Sequence, residues 1–129
     1  MTDPEPNPLL ATIAKKIDDI DRFMWDAAVA LAVNAISGDY VEFGSWGGNT
    51  LRVAHERFRH AGTPRHLWAF DSFEGLPEAT DPRDHHPGWR SGGAGQGGVE
   101  AFHATCDDHG IPRDAYTAVV GYYDDTLPA

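Results

Sequence analysis

A single cysteine, Cys106, rules out a disulfide within the 129-residue chain and fits a reducing compartment. Basic residues are scarce: ten Lys and Arg stand against twenty Asp and Glu, a formal charge of −10. Those ten are scattered, so a phosphate backbone would meet repulsion and no basic patch, which argues against nucleic acid as a partner. No apolar run approaches the roughly 20 residues of a membrane span. The acidic N-terminus also lacks the basic and apolar regions of a secretory signal. These absences predict a soluble, cytoplasmic protein with no membrane contact. There is no repeat and no sustained coiled-coil period. What remains is 41% hydrophobic and holds four Trp, the composition of one packed domain.

Residues 2–8, with three prolines and two acids, predict a flexible tail over 1–8, followed by one structural unit over 9–129. Leu10, Ile13, Ile17, Ile20, Met24, Ala28 and Leu31 recur at helical spacing. A break near Asp21 would divide this stretch into two helices, and Gly38 is the expected residue past its C-terminal end. Residues 40–44 read as a buried strand, 49–61 as a helix opened by Asn49 or Thr50, and 66–71 as a second strand. The glycine-rich stretch 72–98 is longer than an ordinary connection, hence either functional or mobile. A short helix carrying Val99, Phe102 and Cys106 and a third strand over 118–122 complete the order. Strands alternating with helices argue an α/β fold with a Rossmann-like parallel sheet and right-handed crossovers. The expected strand order is 3-2-1.

The chemistry gathers at the strand ends. Glu42 closes the first strand and runs into Gly44-Ser45-Trp46-Gly47-Gly48-Asn49-Thr50. Glycines permit close backbone approach, and the helix that follows offers unpaired N–H groups to a negative group. A nucleotide fingerprint of the Rossmann type has glycine where Trp46 stands, so a pyrophosphate is a poor fit. A carboxylate needs less room, and Thr50 adds a hydroxyl beside the helix start. S-Adenosylmethionine carries such a carboxylate next to an amine that Glu42 is placed to hold. Asp71 ends the second strand where a carboxylate bonds vicinal ribose hydroxyls; its plainer role is to cap a turn with Ser72.

These residues, with Asp71-Ser72-Phe73-Glu74-Gly75-Leu76-Pro77 and Gly121-Tyr122-Tyr123-Asp124-Asp125-Thr126-Leu127-Pro128, carry a resemblance to a known family. From about residue 38 onward the chain resembles the macrocin O-methyltransferase (TylF/MycF) group of class I S-adenosylmethionine-dependent methyltransferases. The resemblance implies that Glu42, Gly44, Ser45 and Gly48 bind the methionine half of the cofactor. It also implies that Asp71 binds the ribose, with Ser72 and Phe73 near the nucleoside. The implied reaction is methyl transfer to a hydroxyl of a small-molecule acceptor such as a sugar or natural product. In that family the Mg²⁺ ligands and the catalytic acid/base lie on later strands, which this sequence does not contain. The expectation is therefore an N-terminal, cofactor-binding portion, truncated after its third strand and inactive alone. It would expose an apolar sheet edge open to self-association. Asp124 and Asp125 match the Asp-Thr-Leu-Pro segment of the family and read as solvated turn residues.

Other candidates carry less. Asp81, Asp84, His85 and His86 hold metal-type side chains, but adjacent histidines in a Pro/Gly loop seldom define a closed site. The loop suits a substrate cover better, with Trp89 and Arg90 near an acceptor. Cys106 lies on an apolar helix face and reads as core. Two further readings stay open: a non-catalytic adenosine-ligand module or subunit of a split enzyme, and an NAD or nucleotide-sugar Rossmann protein, the latter disfavoured by Trp46.

Overall fold

A computed structural model describes residues 7–93, 95 and 97–128. Its elements are α1 (Pro8–Val33), β1 (Tyr40–Phe43), α2 (Asn49–His60), β2 (Leu67–Asp71), a 3-10 turn (Pro82–Asp84), α3 (Gly98–Asp108), β3 (Tyr116–Val120) and α4 (Tyr123–Thr126). Most of the expected tail, residues 1–6, lies outside the described residues. Helix α1 already starts at Pro8, a residue suited to the first helical position, and the Asn7 side chain accepts from the Leu9 N–H.

The predicted break at Asp21 does not occur. Helix α1 runs unbroken for 26 residues, and Asp21 accepts two hydrogen bonds from Arg57 of α2, at 2.7 and 2.9 Å. A paired fork of this kind fixes two helices in register. The apolar contact beside it joins Met24 and Ala28 of α1 to Val53, Ala54 and Phe58 of α2.

All three long helices end alike, and only one of them lacks glycine where the motif wants it. The N–H groups of Ile36, Thr63 and Ile111 bond back five residues to Leu31, Phe58 and Cys106, at 2.9 Å each. Such a closure places the preceding residue in the left-handed region. At α2 and α3 that residue is Gly62 or Gly110; at α1 it is Ala35, with φ of 53°. Gly38, expected to fill this role, lies three residues further on, where its carbonyl accepts from Arg65. A left-handed alanine is strained by about 1–2 kcal/mol. Ala35→Gly is therefore expected to raise stability by about 1 kcal/mol after the unfolded-state entropy of glycine is counted, measurable as a higher denaturation midpoint with an unchanged slope.

The three strands are parallel in the order β1-β2-β3, with β2 in the centre, which is the expected 3-2-1 arrangement. The third strand begins at Tyr116, two residues before its predicted start. Alternation divides the strand residues between two faces. Leu67, Ala69 and Tyr116 are buried beneath Leu51 of α2 and Phe102 and Cys106 of α3. Both crossover helices thus cover the same face, as right-handed connections require. On the other face Val41 and Phe43 are 47% and 57% exposed, in register with Trp68 and Phe70. No helix among the described residues is long and apolar enough to cross a membrane.

Candidate functional site

The carboxyl ends of all three strands lie side by side, and the turns leaving them enclose a cavity of about 370 Å³. Its walls are Gly44 and Trp46 after β1, Asp71, Ser72, Gly75, Leu76 and Pro77 after β2, and Gly121, Tyr122 and Tyr123 after β3. In an open parallel sheet this is where a ligand binds.

Asp71 organises the entrance. One carboxylate oxygen accepts from the Trp46 N–H and the other from the Phe73 N–H, each at 2.8 Å. Both donors belong to residues in the left-handed region, with φ of 49° and 56°. A non-glycine residue there is costly unless something holds it. Asp71 holds both, and so ties the turn after β1 to the turn after β2. Each oxygen keeps a second acceptor position for a ligand hydroxyl. The capping role anticipated for Asp71 is present, but its N–H partner is Phe73. The Ser72 hydroxyl instead donates to the Gly75 carbonyl at 3.0 Å and accepts from the Glu74 N–H at 3.2 Å.

Glu42 sits behind this entrance on β1. The Tyr40 hydroxyl donates to it at 2.8 Å. Burial pushes the Glu42 carboxyl above its ordinary range; bonds from Tyr40 and Ser45 work against that shift, and the negative charge of Asp71 adds to it. Tyr123 lines the cavity with its hydroxyl 3.8 Å from the position a Cβ on Gly44 would take. Its pKa is also raised, first by burial and then by Asp71. The pair of acids gives the site a negative character suited to a cationic ligand.

The predicted residues thus fall into two groups. Gly44, Asp71 and Ser72 line the cavity, whereas Glu42, Ser45, Gly48, Thr50 and Phe73 are not among its walls. Ser45 is buried, with its hydroxyl 3.4 Å from the Glu42 carbonyl. Gly48 caps α2 in place of Asn49 or Thr50, which begin the helix. A Cβ on Gly48 would lie 3.0 Å from the Phe102 ring, so close packing of α2 on α3 is one reason for glycine there. Phe73 packs in the core with its ring centroid 5.0 Å from that of Phe102. Trp46, Gly75, Tyr122 and Tyr123 join the site only in the structure. Their signal in the sequence is the set of short segments at the ends of β1, β2 and β3, whose glycines and aromatics follow an apolar strand.

The long stretch after β2 is closed at its neck. Leu76 donates to the Gly93 carbonyl and accepts from the Gly92 N–H, both at 2.8 Å. A Cβ on Gly75 would lie 2.6 Å from the carbonyl oxygens of Gly92 and Gly93, so only glycine allows that neck to shut. Residues between form a compact surface loop. Within it Asp81 caps the 3-10 turn and pairs with Arg83 at 2.7 Å. Among the described residues no three His, Cys, Asp or Glu side chains gather as metal ligands do.

Comparison with known proteins bears on the family and the fold. A curated 8-demethyl-8-(2,3-dimethoxy-alpha-L-rhamnosyl)-tetracenomycin-C 4'-O-methyltransferase of Streptomyces olivaceus is 29% identical over 128 residues, covering 94% of this chain and 48% of its own length. The solved structure of the O-methyltransferase NovP superposes with a TM-score of 0.66 at 24% identity, covering 88% of this chain and 48% of that one. The chain therefore spans about half the length of the relatives it matches. The family model described as Macrocin-O-methyltransferase (TylF) matches residues 13–129, and the chain belongs to that family.

Proposed function

We propose that this chain is the cofactor-binding part of an S-adenosylmethionine-dependent O-methyltransferase that methylates a hydroxyl on a sugar-bearing natural product. The observation that carries this reading is Asp71, which bridges the turns of two strands at the mouth of a cavity in a TylF-family chain. The acceptor class comes from the relative that is named for methylating a rhamnosyl-tetracenomycin.

The residues fit the cofactor. Gly44 leaves open the space beside Tyr123 that a side chain would fill, and the free acceptor positions of Asp71 suit ribose hydroxyls. Tyr122 and Tyr123 offer aromatic surface for a base. Glu42, once ionised, balances an ammonium group. When bound, S-adenosylmethionine supplies an electrophilic methyl group. The remaining task for the protein is to position the acceptor hydroxyl and accept its proton. The described residues do not fit Mg²⁺ in the same way, since no group of metal-type ligands forms among them.

We also propose that the open sheet face, with Val41 and Phe43 exposed beside the unpaired edge of β1, promotes self-association of the isolated chain. The function itself is tested by calorimetric titration with S-adenosylhomocysteine, using NAD as the control. Binding of the former alone, weakened by Tyr123→Ala, supports the reading. Preference for NAD would replace it with a dehydrogenase-type site.

A further inference from the structure

A second cleft, of about 770 Å³, lies between the loop after β2 and α4. It adjoins the first cavity: Leu76 and Pro77 line both, and α4 contributes Tyr123 to one and Asp124 to the other. We propose that this cleft is the acceptor subsite of the same centre and that Trp89 is the surface on which a pyranose ring of the acceptor stacks. The proposal rests on the methyltransferase reading for its role, but on the cleft itself for its chemistry.

Trp89 is 65% exposed. Its backbone N–H donates to the His86 carbonyl at 3.0 Å, and its ring lies 5.5 Å from the His86 ring, centroid to centroid. Because the neck at Leu76 is closed, this aromatic belongs to a loop tied at both ends and is not left on a free strand of chain. The negative face of an indole attracts the polarised C–H groups on the flat side of a sugar. Around it, Glu78, Asp84 and Asp124 line the cleft, and none forms an ion pair among the described residues. Unpaired carboxylates accept hydrogen bonds from hydroxyls and repel anions. Arg90 supplies donors on the same wall. An aromatic surface in a cleft that also holds unpaired carboxylates favours a neutral, hydroxyl-rich ring over a bare hydrocarbon or a phosphorylated acceptor.

The test is saturation-transfer NMR on the chain with phenyl β-D-glucopyranoside as probe, with phenyl phosphate and cyclohexanol for comparison. The expected result is transfer strongest to the C–H protons of one sugar face. Trp89→Ala is expected to weaken binding roughly tenfold, with Trp89→Phe retaining part of it. Both variants sit on an exposed loop, so their melting and their affinity for S-adenosylhomocysteine should match the parent chain. Absence of transfer to the glucoside, transfer unaffected by Trp89→Ala, or equal binding of the phosphate would overturn the proposal. The glucoside titration needs no cofactor. Trp89-dependent binding without S-adenosylhomocysteine binding would therefore overturn the cofactor reading while supporting the sugar site.

Discussion

Replacing Asp71 by alanine is expected to abolish S-adenosylhomocysteine binding and also to lower stability, by about 3–6 kcal/mol if each of the two charge-assisted bonds contributes its usual share. The reason is that its two oxygens hold the N–H groups of Trp46 and Phe73, both in left-handed conformations. Without that carboxylate the strain has no compensation and the two turns separate. Asp71→Asn should fail as well, because an amide offers one oxygen and one donor where two donors converge. Urea denaturation and calorimetry together check this. A variant with unchanged stability and lost binding would show that Asp71 touches only the ligand. Tyr123→Ala is the cleaner probe of binding, since Tyr123 lines the cavity and its side chain makes no hydrogen bond to the turns among the described residues, only an edge contact with the Phe43 ring.

Glu42→Gln is expected to move stability and affinity in opposite directions. Burial raises the Glu42 pKa in the folded chain above its ordinary 4.5. The empty folded state therefore holds that proton more tightly than the unfolded chain does. Its contribution is most favourable below the ordinary pKa and is lost as pH rises through the raised value. The glutamine side chain can still accept from the Tyr40 hydroxyl but carries no charge, so the empty variant should be more stable at neutral pH, with this pH dependence gone. Binding should suffer, because a charged hydrogen bond to the cofactor ammonium is worth about 1.5–3 kcal/mol, roughly tenfold to a hundredfold in Kd. The parent affinity should rise with pH across the same window. A variant that binds as tightly as the parent, with the same pH profile, would remove Glu42 from the ligand account. Sacrificing empty-state stability for a charge is a common feature of binding sites.

The order of elements, the parallel sheet and its strand order were all legible from apolar runs separated by glycine turns and one amphipathic helix. The end of β2 was legible too, because four apolar residues run into Asp71, whereas Glu42 lies within β1, which ends at Phe43, and β3 was read two residues late. Details set by tertiary contact were not. Glycine statistics pointed to Gly38, whereas the helix ends at Val33 and its closure puts Ala35 in the left-handed region, next to a segment where Arg65 pins the carbonyls of Ile36 and Gly38. Asp21 resembled a break in the pattern because its partner, Arg57, lies 36 residues away in sequence. The dual grip of Asp71 on Trp46 and Phe73 was invisible for the same reason: one partner is 25 residues distant. Tyr122 and Tyr123 entered the site only once β3 was seen to end beside β2. Sequence patterns report what one element buries, while a site is made where several elements end.

The central claim is that the three strand ends form one cofactor site organised by Asp71. It is tested most directly by following the backbone amides of ¹⁵N-labelled chain during titration with S-adenosylhomocysteine. The account predicts saturable shifts confined to the turns after β1, β2 and β3, with Gly44, Trp46, Phe73, Gly75, Gly121 and Tyr123 moving together along one binding curve. Shifts centred on α1, or a response limited to one turn while the Trp46 and Phe73 amides stay still, would contradict it.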